Sequence, residues 1–110
     1  MEKLDYREII KNFILKYAQE ECADDLENAE IVFDTERNIY LLIVAGWKNE
    51  ERIYWFPIHI RIKEGKIWIQ RDFTEEGIAN QLVELGVPKT DIVLGFRSPH
   101  IRHFTDFAVG

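Results

Sequence analysis

The sequence predicts an α+β domain: an N-terminal helix, an antiparallel four-stranded meander, a second helix, a further short strand and an extended C-terminal tail. Three observations predict it. The apolar period changes from 3.6 to 2 and back to 3.6 along the chain. The strand signals are joined by short turns, which makes consecutive strands antiparallel neighbours. The chain has 110 residues, 46% of them hydrophobic, enough for one core and one domain over residues 1–110.

The first helix is expected over residues 5–23. Asp5 can cap it, and Glu8 completes a capping-box-like pair. Tyr6, Ile9, Ile10, Phe13, Ile14 and Tyr17 form one apolar stripe at helical spacing. Four strand signals follow. Ile31–Phe33 is brief. Ile39–Trp47 is apolar on both faces, as an interior strand is. Ile53–Lys63 alternates Ile58, Ile60 and Ile62 with His59, Arg61 and Lys63. Glu64 and Gly65 make a two-residue turn into Lys66–Arg71.

That turn predicts a register. Ile62 faces Ile67 and Ile60 faces Ile69 on the core side. On the other side Arg61 faces Trp68, as a cation–π pair, and His59 faces Gln70. Trp68 carries too much apolar area for a purely solvated face. A helix or a second subunit is expected to cover it.

The stretch "RDFTEEG" sets Asp72, Glu75 and Glu76 close together. Its structural reading is a helix start over residues 74–85. Thr74 is the N-cap, and Glu75 and Glu76 favour the dipole in the first turn. Ile78, Ala79, Leu82 and Val83 form the buried stripe. Gly86 ends the helix in the left-handed C′ position, with Val87 against Leu82. The rival reading is a carboxylate metal site of the nuclease type, but neither Lys nor His follows Asp72 at useful spacing.

The tail "FRSPHIRHFTDF" holds Arg97, His100, Arg102, His103 and Phe104. Pro99 and the flanking Phe and Thr residues favour an extended segment, which points His100 and His103 to opposite faces. Arg, His and Phe together suit a protein interface or a phosphate contact. Ser98 lacks nucleophile-elbow glycines, and Cys22 sits among acids that blunt a thiolate. No phosphate-binding or dinucleotide-binding glycine motif is present. No catalytic residue, cofactor, metal or small-molecule substrate is expected.

The net charge of −6 is uneven. Residues 1–50 hold 6 Lys and Arg against 12 Asp and Glu, while residues 51–110 hold 8 of each. An acidic chain repels phosphate at long range, so DNA contact is expected to be indirect or weak. Cys22 is the one cysteine, which excludes an internal disulfide and fits a reducing cytoplasm. The longest apolar run, Ile39–Trp47, is about half the ~20 residues of a membrane span.

Several segments resemble one family. These are "GW" at 46–47, "HI" at 59–60, "GKIWIQ" at 65–70, "TEEGIANQLVELGVPK" at 74–89, "DIVL" at 91–94, "PH" at 99–100 and "FAV" at 107–109. With "LDYREIIKNFILKYA" they resemble the XisI family, the fdxN-element excision controlling factors. Phe73 stands where that pattern usually has glycine. The resemblance implies a non-enzymatic accessory role in developmentally regulated excision of a DNA element that interrupts nitrogen-fixation genes. A site-specific recombinase would do the cutting. It also implies a nuclease-like companion resembling XisH. A homodimer or a partner complex is expected on the face of His59, Arg61, Trp68 and Gln70, and on the tail. The alternatives are a direct DNA-binding excision factor that uses the tail, or a metal-dependent nuclease.

Overall fold

A computed structural model describes residues 4–21 and 28–110. Cys22 lies outside them. The chain forms α1 (Tyr6–Glu21), β1 (Ala29–Asp34), β2 (Ile39–Lys48), β3 (Glu51–Lys63), β4 (Lys66–Asp72), α2 (Ile78–Glu84), β5 (Ile92–Leu94) and α3 (Pro99–Arg102). The sheet has the order β1-β2-β3-β4-β5. The first four strands are the expected antiparallel meander. The further strand pairs in parallel with β4, so the five-stranded sheet is mixed.

Local chemistry sets each turn. Asp34 accepts the N–H groups of Glu36 and Arg37, and Asn38 takes a left-handed φ of 55° to enter β2. Asn49 does the same at 58° before β3. Glu64 and Gly65 both have positive φ, 54° and 77°, as a type I′ hairpin turn requires. At α1, Asp5 Oδ1 accepts from Arg7 and Glu8 N–H at 3.1 and 3.4 Å. Glu8 does not complete a reciprocal box; its carboxylate turns to Lys11 instead, at 3.7 Å.

The core lies between the helices and one face of the sheet. Ile10, Phe13, Ile14 and Ala18 of α1, with Ile78, Ala79 and Leu82 of α2, pack on Tyr40, Leu42, Ile58, Ile60, Ile67 and Ile69. Both helices therefore cover the same face. The Tyr6 hydroxyl donates to Asp91 Oδ2 at 2.5 Å and fastens the start of α1 to the turn before β5. Partial burial and then the Asp91 carboxylate push the Tyr6 pKa up to about 12, so the hydroxyl stays a donor.

Two expectations about the helices need correction. The second helix spans Ile78–Glu84, not 74–85, and Gly77 is its N-cap. Thr74 Oγ1 accepts only the Gly77 N–H, at 3.1 Å, within a preceding turn. Glu75 and Glu76 lie in that turn, outside the helix. The tail is not extended throughout. Ser98 accepts the Ile101 N–H and Pro99 stands at N1, so residues 99–102 form one helical turn.

The C-terminal end of α2 is as expected. Gly86 has φ 102°, its N–H donates to Val83 O at 3.0 Å, and the Val87 N–H donates to Leu82 O at 3.0 Å. This is a Schellman motif with Val87 and Leu82 both buried. A side-chain carbon at 86 would meet only Leu4, at an ordinary 3.7 Å, so backbone strain is the main cost of substitution. Gly86→Val is expected to lower stability by about 1–2 kcal/mol, read as a drop in the urea midpoint. An unchanged midpoint and slope would show that residue 86 does not hold the left-handed position.

Candidate functional site

The sheet face opposite the helices is the candidate site. Strand pairing sets two rows of side chains across it. Asp34, Ile39, Arg61, Trp68 and Val93 form one row, and Val32, Leu41, His59 and Arg71 form the next. Ile39, Leu41, His59, Arg61 and Trp68 are each partly exposed. Neither α1 nor α2 lies over them, since both pack on the core face. Of the expected covers of Trp68, a helix or a second subunit, the chain itself supplies a part: Arg102 of α3 and the C-terminal Gly110 lie on the ring.

Trp68 faces Arg61 across the strands as predicted, but the cations on its ring are others. Lys63 Nζ is 5.3 Å and the Arg102 guanidinium 5.2 Å from the ring centroid. Gly110 lies beside the ring, where a side-chain carbon would be 3.7 Å from Trp68 Cη2. Lys66 Nζ donates to Gly110 O at 2.6 Å and holds the segment there. Arg61 Nε is buried and meets no hydrogen-bond partner among the described residues.

The pairing of His59 with Gln70 is displaced. His59 faces Arg71, because a bulge in β4 between the Ile60–Ile69 and His59–Arg71 pairs leaves Gln70 as the extra residue. Gln70 packs instead against Gly95, close enough that a side-chain carbon at 95 would meet its Oε1 at 2.9 Å. His59 is half-buried. Burial, and then the nearby Arg61 charge, hold its pKa below the usual 6.5.

The tail residues divide. Arg102 organises its own segment: Nε donates to Leu94 O and Arg97 O at 3.3 and 3.0 Å, and Nη2 to Gly95 O at 3.4 Å. Arg97 stacks on Phe96 with its guanidinium 5.1 Å from the ring. His100 lies edge-on to Phe104, 5.4 Å between centroids. His100, His103 and Phe104 are exposed. Only Arg102 reaches the Trp68 site by direct contact.

The acidic knot has the structural job, by another route. Asp72, at the end of β4, accepts the Thr74 N–H at 2.8 Å, the Thr74 hydroxyl at 2.6 Å and the Ile78 N–H at 2.8 Å. One carboxylate therefore closes the turn and caps α2. Glu75 and Glu76 line a groove of about 540 Å³ with Glu20, Glu21, Glu84, Trp55 and Phe73.

The XisI protein family model matches residues 1–109. The chain belongs to the XisI family. Among solved structures, it is similar to a XisI-like protein from Anabaena variabilis, with 41% identity, 96% of each chain covered and a TM-score of 0.83. It is also similar to the fdxN element excision controlling factor XisI from Anabaena variabilis, with 33% identity, 96% of each chain covered and a TM-score of 0.79. No curated protein matches it.

Sequence reasoning missed three contributors to this XisI-family site. Lys63 and Lys66 have no role in the sequence reading beyond their places in the hairpin strands. Arg71 was not singled out, yet its guanidinium lies 4.4 Å from the Phe56 ring and 4.2 Å from the Phe73 ring. The usable signal was the density of cations at alternate positions beside Trp68.

Two outcomes follow for this XisI-family chain. Asp72→Ala is expected to cost about 2 kcal/mol, from two N–H groups and a hydroxyl left without their acceptor. A wild-type denaturation midpoint would show that the carboxylate does not cap α2. His59 favours its neutral form when folded. Its contribution to stability is complete above 6.5 and is lost as pH falls through its lower folded pKa. Wild type should therefore lose more urea resistance than His59→Gln between about pH 7 and pH 5, and the NMR midpoint of His59 should lie below 6.5. A midpoint at or above 6.5 refutes this assignment.

Proposed function

We propose that the chain is a non-enzymatic controlling factor in the excision of a DNA element by a site-specific recombinase, and that it acts by docking a protein companion on the open sheet face. The observation that carries this reading is the partly exposed row Ile39–Arg61–Trp68, flanked by Lys63 and Arg102. A tryptophan and an arginine in a partly desolvated, apolar setting have the composition of interface anchors. Membership of the XisI family, and similarity to an excision controlling factor at 33% identity, support the excision context. The companion proposed is a XisH-like protein with an acidic and apolar contact surface, complementary to the cations around Trp68.

A second reading has support from those same cations. His59, Arg61, Lys63, Lys66 and Arg71 lie on β3 and β4, and a phosphate backbone would meet them without a protein intermediary. The two readings separate in a salt titration. A DNA binder loses affinity steeply and linearly on a logarithmic salt scale.

Co-purification with the XisH-like gene product tests the first reading. Trp68→Ala is expected to weaken the complex by about 2 kcal/mol or more, and Lys63→Glu to weaken it without disturbing the fold. Unchanged binding in both variants, with circular dichroism as wild type, would remove the open face from the interface.

A further inference from the structure

The end of the β2–β3 hairpin projects beyond the rest of the sheet. Ala45–Lys48 pair with Glu51–Tyr54, but β1 ends its pairing at Val44 and β4 begins its own at Ile58. Beyond these points the hairpin is a two-stranded ribbon. On the β2 side Asn28, just ahead of β1, lies against Gly46, where a side-chain carbon would meet it at 2.5 Å. On the β3 side no strand lies beside Glu51–Phe56 among the described residues.

Such a ribbon is marginal in water without further cover. This one displays Trp47 and Tyr54 at 63% and 64% exposure, with Trp55 and Phe56 beside them at 39% and 37%. Arg52 sits 5.4 and 5.5 Å from the Trp47 and Tyr54 rings. Trp55 turns to the other face, against Phe73, and the exposed aromatic surface of the remaining three is on the order of 300 Å², since each such side chain offers roughly 150–250 Å². One side of an ordinary dimer interface takes about 800 Å². The patch supplies less than half of one.

We propose that a second copy of the chain pairs antiparallel with this β3 edge, about a two-fold axis at Ile53 or Tyr54. Phe56 O already accepts from Arg71 Nε at 2.8 Å, but the rest of the row from Glu51 has no strand partner on this side among the described residues, and unpaired backbone N–H and C=O groups select a strand. A two-fold axis normal to the sheet sets residues of the same face opposite one another. An axis at Arg52 would oppose two guanidinium groups. An axis at Ile53 or Tyr54 instead sets Arg52 opposite Tyr54 or Phe56 of the second copy, a cation–aromatic pair made twice. Pro57 has no N–H and ends the pairing. The open face around Trp68 stays available, so this dimer is independent of the companion proposed above.

Single cysteines test the pairing. Cys22→Ser removes the one cysteine in the sequence. Ile53→Cys, Tyr54→Cys or, as a control, Glu64→Cys is then added. Opposed Cβ atoms across paired strands lie about 5 Å apart, close to the reach of a disulfide. Under mild oxidation Ile53→Cys or Tyr54→Cys should give mostly a linked dimer, and Glu64→Cys should not. By sedimentation at tens of micromolar, Cys22→Ser should be a dimer, and Arg52→Glu with Tyr54→Glu a monomer with unchanged circular dichroism. A monomeric Cys22→Ser protein overturns the proposal. So does a dimer that survives the double substitution, or a strand from a different protein on this edge while the chain alone stays monomeric.

Discussion

Both helices of the core pack on one face of one sheet, and the rest of the molecule follows from that one-sided burial. A chain of this length has apolar surface for a single helix–sheet interface. The fully buried residues of β2, β3 and β4, from Tyr40 to Ile69, all point toward α1 and α2. Their alternates have no layer of their own. Strand periodicity thus forces Ile39, Leu41, His59, Arg61 and Trp68 onto a face that α1 and α2 leave open. Evolution fills such a face with charge when it meets only water. Here it holds a tryptophan between two cations.

The devices that hold this arrangement sit where strands end. Asp72 stops β4 and caps α2 with one side chain, so the helix leaves the sheet at a set place. Gly86 and Val87 turn the chain back from α2. Tyr6 and Asp91 join the start of α1 to the approach to β5. Val93 then makes a parallel bridge to Ala108, which returns the C-terminal segment to the Trp68 edge. Arg102, bonded to three carbonyls of its own segment, gives that return a shape. A charge that looks free in the sequence is thereby largely a structural group.

Much of the fold was legible because period and turn chemistry agree. Four isoleucines at alternate positions around Glu64-Gly65 allow one register, and Ile60–Ile69 and Ile62–Ile67 are paired in the structure. The pairing fails one step further on, where Gln70 and Arg71 are both polar and a bulge carries no apolar penalty. The start of α2 was misread because capping was sought within three residues. Asp72 reaches Ile78 over six, through a turn that only the folded chain defines. The helical turn at 99–102 did have a signature, Ser98 then Pro99, which was outweighed by the proline as a breaker. At the site, Arg61 facing Trp68 was readable from register. Lys63 and Arg102 on the ring were not, since the second comes from a segment more than thirty residues away.

The net charge of −6 describes neither side of the molecule. Glu20, Glu21, Glu75, Glu76 and Glu84 gather at the groove beside the helices, on the core side of the sheet. His59, Arg61, Lys63, Lys66 and Arg71 lie on β3 and β4, and Arg102 joins them across Trp68. The two groups lie on opposite sides of the sheet, and at physiological salt the Debye length is about 8 Å. The acids on one side are therefore largely screened from a ligand at the other. The net negative charge therefore does not cancel the attraction of a phosphate or carboxylate at contact. The charge of the open face thus acts mainly at contact, beside a half-buried aromatic ring.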